Sequence, residues 1–72
     1  MNLVKEIRMT NTEENHSKEW TGQLYDDETV ITLWGKINGP QQSKAFPGVG
    51  QSFLDKKYQE KLRKGYLEEN LS

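Results

Sequence analysis

Apolar and polar residues alternate with a period of two through much of the first 46 positions, and with a helical period after residue 51. Leu3, Ile7 and Met9 oppose Val4, Glu6 and Arg8, which predicts a half-buried strand over residues 3–9. The polar run at residues 10–15 has nothing apolar to bury and reads as an exposed loop. Trp20, Gly22 and Leu24 then alternate with Thr21, Gln23 and Tyr25, giving a second strand over 18–25. Only Asp26-Asp27-Glu28 separates it from a run rich in β-branched residues over 29–37, so strands two and three should form an antiparallel hairpin. Asn38-Gly39-Pro40 carries turn chemistry, and a short fourth strand is expected over 41–46.

Pro47-Gly48-Val49-Gly50 breaks the last strand, and Ser52 can cap a helix with Asp55 three residues on as a weak capping-box acid. The helix is predicted over 52–64. Leu54, Tyr58 and Leu62 recur every fourth residue beside Phe53 as one apolar stripe, while Lys57, Gln59, Glu60 and Arg63 are expected to face water. Lys61, Arg63 and Lys64 complement the helix dipole in the last turn, Gly65 supplies a left-handed C-cap, and Tyr66 and Leu67 can return onto the sheet. The expected fold is α+β: a four-stranded antiparallel meander with one C-terminal helix packed on one face, a single domain over 1–72 with an ordered core at about 3–67. A chain of 72 residues buries only about 60–65% of its unfolded surface, enough for one modest core. Its members should be Ile7, Trp20, Leu24, Ile31, Leu33, Ile37, Leu54, Tyr58 and Leu62.

One helix covers one face of such a sheet and leaves the other wet. Assigned by apolar content, Ile31, Leu33 and Ile37 of strand three go under the helix, and Val30, Thr32, Trp34 and Lys36 point the other way. An exposed indole two residues from an ammonium suits binding, since stacking on an aromatic is worth about 1–3 kcal/mol per base and a lysine can meet a phosphate. The alternative is that Trp34 packs beneath the loop at residues 10–15.

Composition narrows the chemistry further. Without cysteine there are no disulfides and no thiolate metal sites, and the cytoplasm is the expected location. The longest apolar stretch, Val30-Ile31-Thr32-Leu33-Trp34, is too short to span a bilayer, and the start lacks the apolar centre of a signal peptide, so no membrane partner is expected. A single histidine, His16, stands in the polar loop with no second histidine to complete a metal site, and no catalytic motif is present. The formal net charge of −1 hides an asymmetry: residues 1–35 hold three basic and seven acidic side chains, residues 36–72 seven basic and four acidic. The acidic clusters Glu13-Glu14 and Asp26-Asp27-Glu28 fall in loops, which leaves a basic surface available to a polyanion.

Trp34-Gly35-Lys36-Ile37 followed by Asn38-Gly39-Pro40-Gln41 resembles the Trp-Gly-Arg signature and the glycine-containing turn of the WGR domain family. Ser17-Lys18-Glu19-Trp20 through Gln23-Leu24-Tyr25-Asp26-Asp27 looks like the family's Asn-Lys-aromatic strand and its acidic turn. Lys44 falls where a basic residue follows the turn, and Lys61-Leu62-Arg63-Lys64-Gly65-Tyr66 is similar to the family's helix ending. The likeness covers roughly residues 3–67 and points to a stand-alone WGR domain of the bacterial type, related to that of the poly(ADP-ribose) polymerases. There the signature Trp stacks on sugar at a DNA break end and the Arg helps hold the backbone, so the resemblance implies those roles for Trp34 and Lys36. Lys36 departs from the pattern, replacing a planar five-donor fork with a point charge.

The function expected from these readings is weak, non-catalytic and largely non-sequence-specific binding of nucleic acid, DNA ahead of RNA and with its ends or breaks as candidate targets. Trp34, Gly35, Lys36, Lys44 and Lys18 are the site residues, and no cofactor or metal is called for. Lys56, Lys57, Lys61, Arg63 and Lys64 of the helix could extend the footprint, although interspersed helix charges more often serve solubility. The rival is a protein-interaction adaptor that uses the same aromatic sheet face.

Overall fold

A computed structural model of the chain describes residues 2–12 and 17–68. Its elements are β1 (Leu3–Asn11), β2 (Lys18–Tyr25), β3 (Val30–Lys36), β4 (Gln41–Phe46), α1 (Gly50–Arg63) and a two-residue β5 (Leu67–Glu68). The sheet is antiparallel in the order β4-β3-β2-β1-β5, so the predicted meander is present and β5 adds a fifth strand beyond β1. Tyr66 and Leu67 do return to the sheet: Leu67 pairs with Thr10 and Glu68 with Met9. Glu13-Glu14 and His16 lie outside the described residues.

The turn between β2 and β3 decides which side chains share a face. Glu28 N–H donates to the Tyr25 carbonyl at 3.1 Å, and Tyr25 N–H to the Thr29 carbonyl at 2.8 Å. Glu28 occupies the left-handed region at φ 70, the third position of a three-residue hairpin loop that glycine more often fills. Tyr25 therefore opposes Thr29, and the ladder runs on through Leu24↔Val30, Gly22↔Thr32 and Trp20↔Trp34. Residues directly opposite in a ladder point to the same side of the sheet. With Trp20 inward, Val30, Thr32 and Trp34 must be inward too.

That register overturns the face assignment made for β3. Val30 is fully buried and Thr32 nearly so, whereas Ile31, Leu33 and Ile37 are only half-buried. By alternation Ile31 and Leu33 stand on the face that lacks the helix. The buried core consists of Ile7, Met9, Trp20, Leu24, Val30 and Leu54, with Trp34, Val49, Phe53, Tyr58 and Tyr66 packed around it. Met9 and Val30 were missed, and Ile31, Leu33, Ile37 and Leu62 do not belong. Leu62 is 36% exposed because the row of α1 that meets the sheet runs through Phe53, Leu54, Lys57, Tyr58 and Lys61.

Gly22 allows the helix to sit close. A Cβ there would lie 2.5 Å from Leu54 Cδ1 and 2.6 Å from Trp20 Cη2, so the bare backbone at the middle of β2 is the seat for Leu54. The helix starts at Gly50, two residues before the expected cap Ser52, and Val49 at the N-cap makes no side-chain cap bond. A tertiary contact fixes its start instead, since Gly50 N–H donates to the Glu28 carbonyl at 3.0 Å. The far end follows expectation: Gly65, at φ 92, donates to Leu62, and Tyr66 donates to Lys61 at 3.0 Å, a Schellman ending.

Candidate nucleic-acid interface

Helix α1 crosses the sheet obliquely. Its start meets the β2–β3 turn and Phe46, while its last turn reaches the far end of β1, where Asn11 Nδ2 donates to the Lys64 carbonyl at 3.3 Å. The part of β3 and β4 that carries Trp34 is left beside the helix, not under it. There Trp20, Thr32, Trp34, Phe46, Lys57 and Lys61 line a hollow of about 190 Å³. Sheet aromatics and helix lysines thus bound the same space.

Trp34 is half-buried on the helix side, between its cross-strand neighbours Trp20 and Gln42. It is neither the fully exposed platform on a helix-free face nor a residue enclosed in the core. Lys36 is exposed at the end of β3 directly opposite Lys18, also exposed, and the register carries both to the side of Trp20 and Trp34. Two like charges facing each other across a ladder repel, so a bound anion between them would relieve a cost. Lys44 opposes Thr32 on the same side, and its Nζ rests 5.3 Å from the centroid of the Phe46 ring. Four of the five expected site residues, Trp34, Lys36, Lys44 and Lys18, therefore share one side of the sheet.

Gly35 has a different task. A Cβ on it would strike the Pro40 carbonyl oxygen, and the neighbouring turn is dense in backbone bonds. Gly39 N–H and Gln41 Nε2 both donate to the Lys36 carbonyl, at 3.0 and 2.9 Å, and Ile37 N–H donates to Ser17 at 2.9 Å. Glycine is needed there to close the β3–β4 turn, which in turn fixes where Trp34 and Lys36 stand.

Lys57, expected to face water, and Lys61, expected in the last turn, both line the hollow, so two of the five helix residues that could extend the footprint stand at it. Lys57 Nζ lies 3.5 Å from Glu60 Oε2 and 5.5 Å from the Phe53 ring centroid, and Lys61 Nζ stands 5.4 Å from the Tyr66 centroid. Burial, followed by repulsion from Lys64 and Lys57, holds the Lys61 ammonium below its ordinary 10.5, with Glu60 opposing the shift. The sequence did carry a signal for these two: the row 53/54–57/58–61 is as regular as the row that ends at Leu62. Phe46, which meets Phe53 at 4.6 Å between centroids, was placed on a strand but given no role.

The opposite face has another character. Glu6, Arg8, Glu19, Thr21, Gln23, Leu33 and Gln41 border a shallow depression of about 370 Å³, across which Gln23 Nε2 donates to Glu6 Oε2 at 2.8 Å. Two carboxylates against one guanidinium make that face unfavourable to a polyanion. No group of three or more His, Asp or Glu side chains that could hold a metal occurs among the described residues, and no described helix is long and apolar enough to cross a membrane.

Fold and site together define a small α+β domain with an aromatic hollow beside its helix and lysines around it. Comparison with protein-family models, with curated proteins and with solved structures found no match.

Proposed function

We propose that the chain is a non-catalytic nucleic-acid-binding domain of the WGR type, which binds weakly and with little sequence preference on the helix side of its sheet. The supporting observation is the register that gathers Trp34, Lys18, Lys36 and Lys44 on one side, next to a hollow walled by Lys57 and Lys61. The half-exposed indole offers a ring face for a sugar or base, and the lysines offer charges for phosphates without reading base edges. DNA ends or breaks are the targets that the family likeness favours.

The reading is tested by titrating blunt, nicked and single-stranded oligonucleotides at low and moderate salt. With about three to five lysines on phosphates, the slope of log K against log salt for a single strand should be roughly −2 to −4. Affinity weaker than about micromolar at physiological salt is expected, and Trp34→Ala should remove most of it. Tight binding of one sequence, insensitive to salt, would overturn the proposal.

A second reading, a protein-interaction adaptor, is favoured by Ile31 and Leu33, apolar and half-buried on the face that the helix leaves uncovered. A partner on that face would bind with little salt dependence and be indifferent to Trp34.

A further inference from the structure

Lys57 and Lys61 stand one helical turn apart on the sheet-facing row of α1, where the pattern of an amphipathic helix would place apolar residues. The aliphatic stem of a lysine buries readily, but desolvating its ammonium costs free energy unless a counter-charge compensates. Lys57 has Glu60 at 3.5 Å; among the described residues Lys61 has no carboxylate at ion-pair distance, and its ammonium rests over Tyr66. Both lysines open onto the same hollow as Trp20, Trp34 and Phe46. Its volume of about 190 Å³ is below the roughly 300–1,000 Å³ of sites that enclose a whole small ligand. One ring system fits, with its charged substituent at the lysine wall.

We infer that the hollow is a subsite for a single nucleoside phosphate unit: Trp34 and Phe46 hold one base or sugar ring, and Lys57 and Lys61 hold its phosphate. This rests on the nucleic-acid reading and deepens it. A stacked duplex cannot present an isolated ring to so small a space, so the unit captured is unstacked, whether it is free or part of a strand. The helix lysines, which lie outside the Trp-Gly-Lys signature, are then the anion-binding half of the site.

The test is a titration of the whole chain, followed by tryptophan fluorescence and by amide NMR, with AMP, adenosine, inorganic phosphate and a ten-residue oligothymidylate. The parent is compared with Lys57→Gln/Lys61→Gln, with Trp34→Phe and with the exposed β1 control Lys5→Gln, each checked for folding by its melting curve. AMP should bind at least ~10-fold more tightly than adenosine or phosphate, since ring and charge are held together. The double variant should lose at least ~10-fold in AMP affinity and weaken the oligonucleotide, while Lys5→Gln matches the parent. If the oligonucleotide binds through Trp34 but AMP does not, or if the double variant binds AMP like Lys5→Gln, this inference is overturned and the broader reading stands. If neither AMP nor any oligonucleotide binds, both fall together.

Discussion

Trp20 and Trp34 are direct cross-strand neighbours in the β2–β3 ladder, so the two indoles stand side by side on the helix face of the sheet. One is 2% exposed in the core, and the other is half-buried at the edge of the hollow. Their environments grade into each other, which ties the proposed binding surface to the stability of the core. Trp20→Ala should cost about 3–5 kcal/mol, a large share of the total for so small a domain. Trp34→Ala should cost about 1–2 kcal/mol, in line with partial burial, and leave a folded protein at room temperature. Urea melts of the two variants check this, and equal losses would contradict the packing described.

The close seat of the helix predicts that Gly22→Ala destabilises the domain by about 1–3 kcal/mol, because the new methyl group would overlap Leu54 Cδ1 and Trp20 Cη2. Leu54 is fully buried and has little room to yield. Combining Gly22→Ala with Leu54→Val should recover part of the loss, so that the double variant melts above the temperature expected from adding the two single effects. Strict additivity would mean that the two residues do not meet.

The strands, the order of the meander and the left-handed helix ending were legible because each rests on local chemistry: period-two alternation, short polar turns, and Gly65 after a basic last turn. The faces of β3 were misread because they were chosen by apolar content, which favours Ile31, Leu33 and Ile37 over Val30, Thr32 and Trp34. The information needed was present in the loop length. Three residues between Tyr25 and Thr29 set those two opposite each other, and counting back from them brings Trp20 opposite Trp34. A shift of one residue in that count turns every side chain of β3 over. Which of the helix lysines reach the site was not legible for a different reason: sequence shows that a row of a helix is polar, but only the oblique crossing of α1 shows that the row of Lys57 and Lys61 meets a hollow. The start at Gly50 depends on the Glu28 carbonyl, 22 positions away, which no local cap rule contains.

That β2–β3 turn has its own signature in pH. The Asp27 carboxylate accepts from the Thr29 backbone N–H at 3.1 Å, and bonding to the Thr29 side chain first, and then to its backbone, holds Asp27 below its ordinary 3.8. A carboxyl group lowered on folding adds stability that is fully present above 3.8 and is lost as pH falls through the lower folded value. Asp27→Asn should therefore lower stability at neutral pH and flatten the acid limb of the profile below 3.8, so that variant and parent converge as pH falls. A parent and a variant whose acid limbs superimpose would remove Asp27 from the account of the turn.

Lys61 offers a readout of occupancy at the hollow that does not depend on fluorescence. In the free protein its ammonium is held below 10.5, mainly by burial and further by Lys64 and Lys57. A phosphate seated between Lys57 and Lys61 adds negative charge and accepts hydrogen bonds from the ammonium, which favours the protonated form and moves the Lys61 pKa back up. By linkage, binding takes up protons between the free and the bound value, so affinity for AMP declines as pH rises through the free value of Lys61. Following the Lys61 side-chain ε-carbon resonance from pH 8 to 11, with and without saturating AMP, measures both values directly. The pKa should rise with AMP and stay in place with adenosine, which brings a ring but no charge. A Lys61 resonance that titrates identically in all three samples, while AMP still binds, would show that the phosphate lies away from the helix.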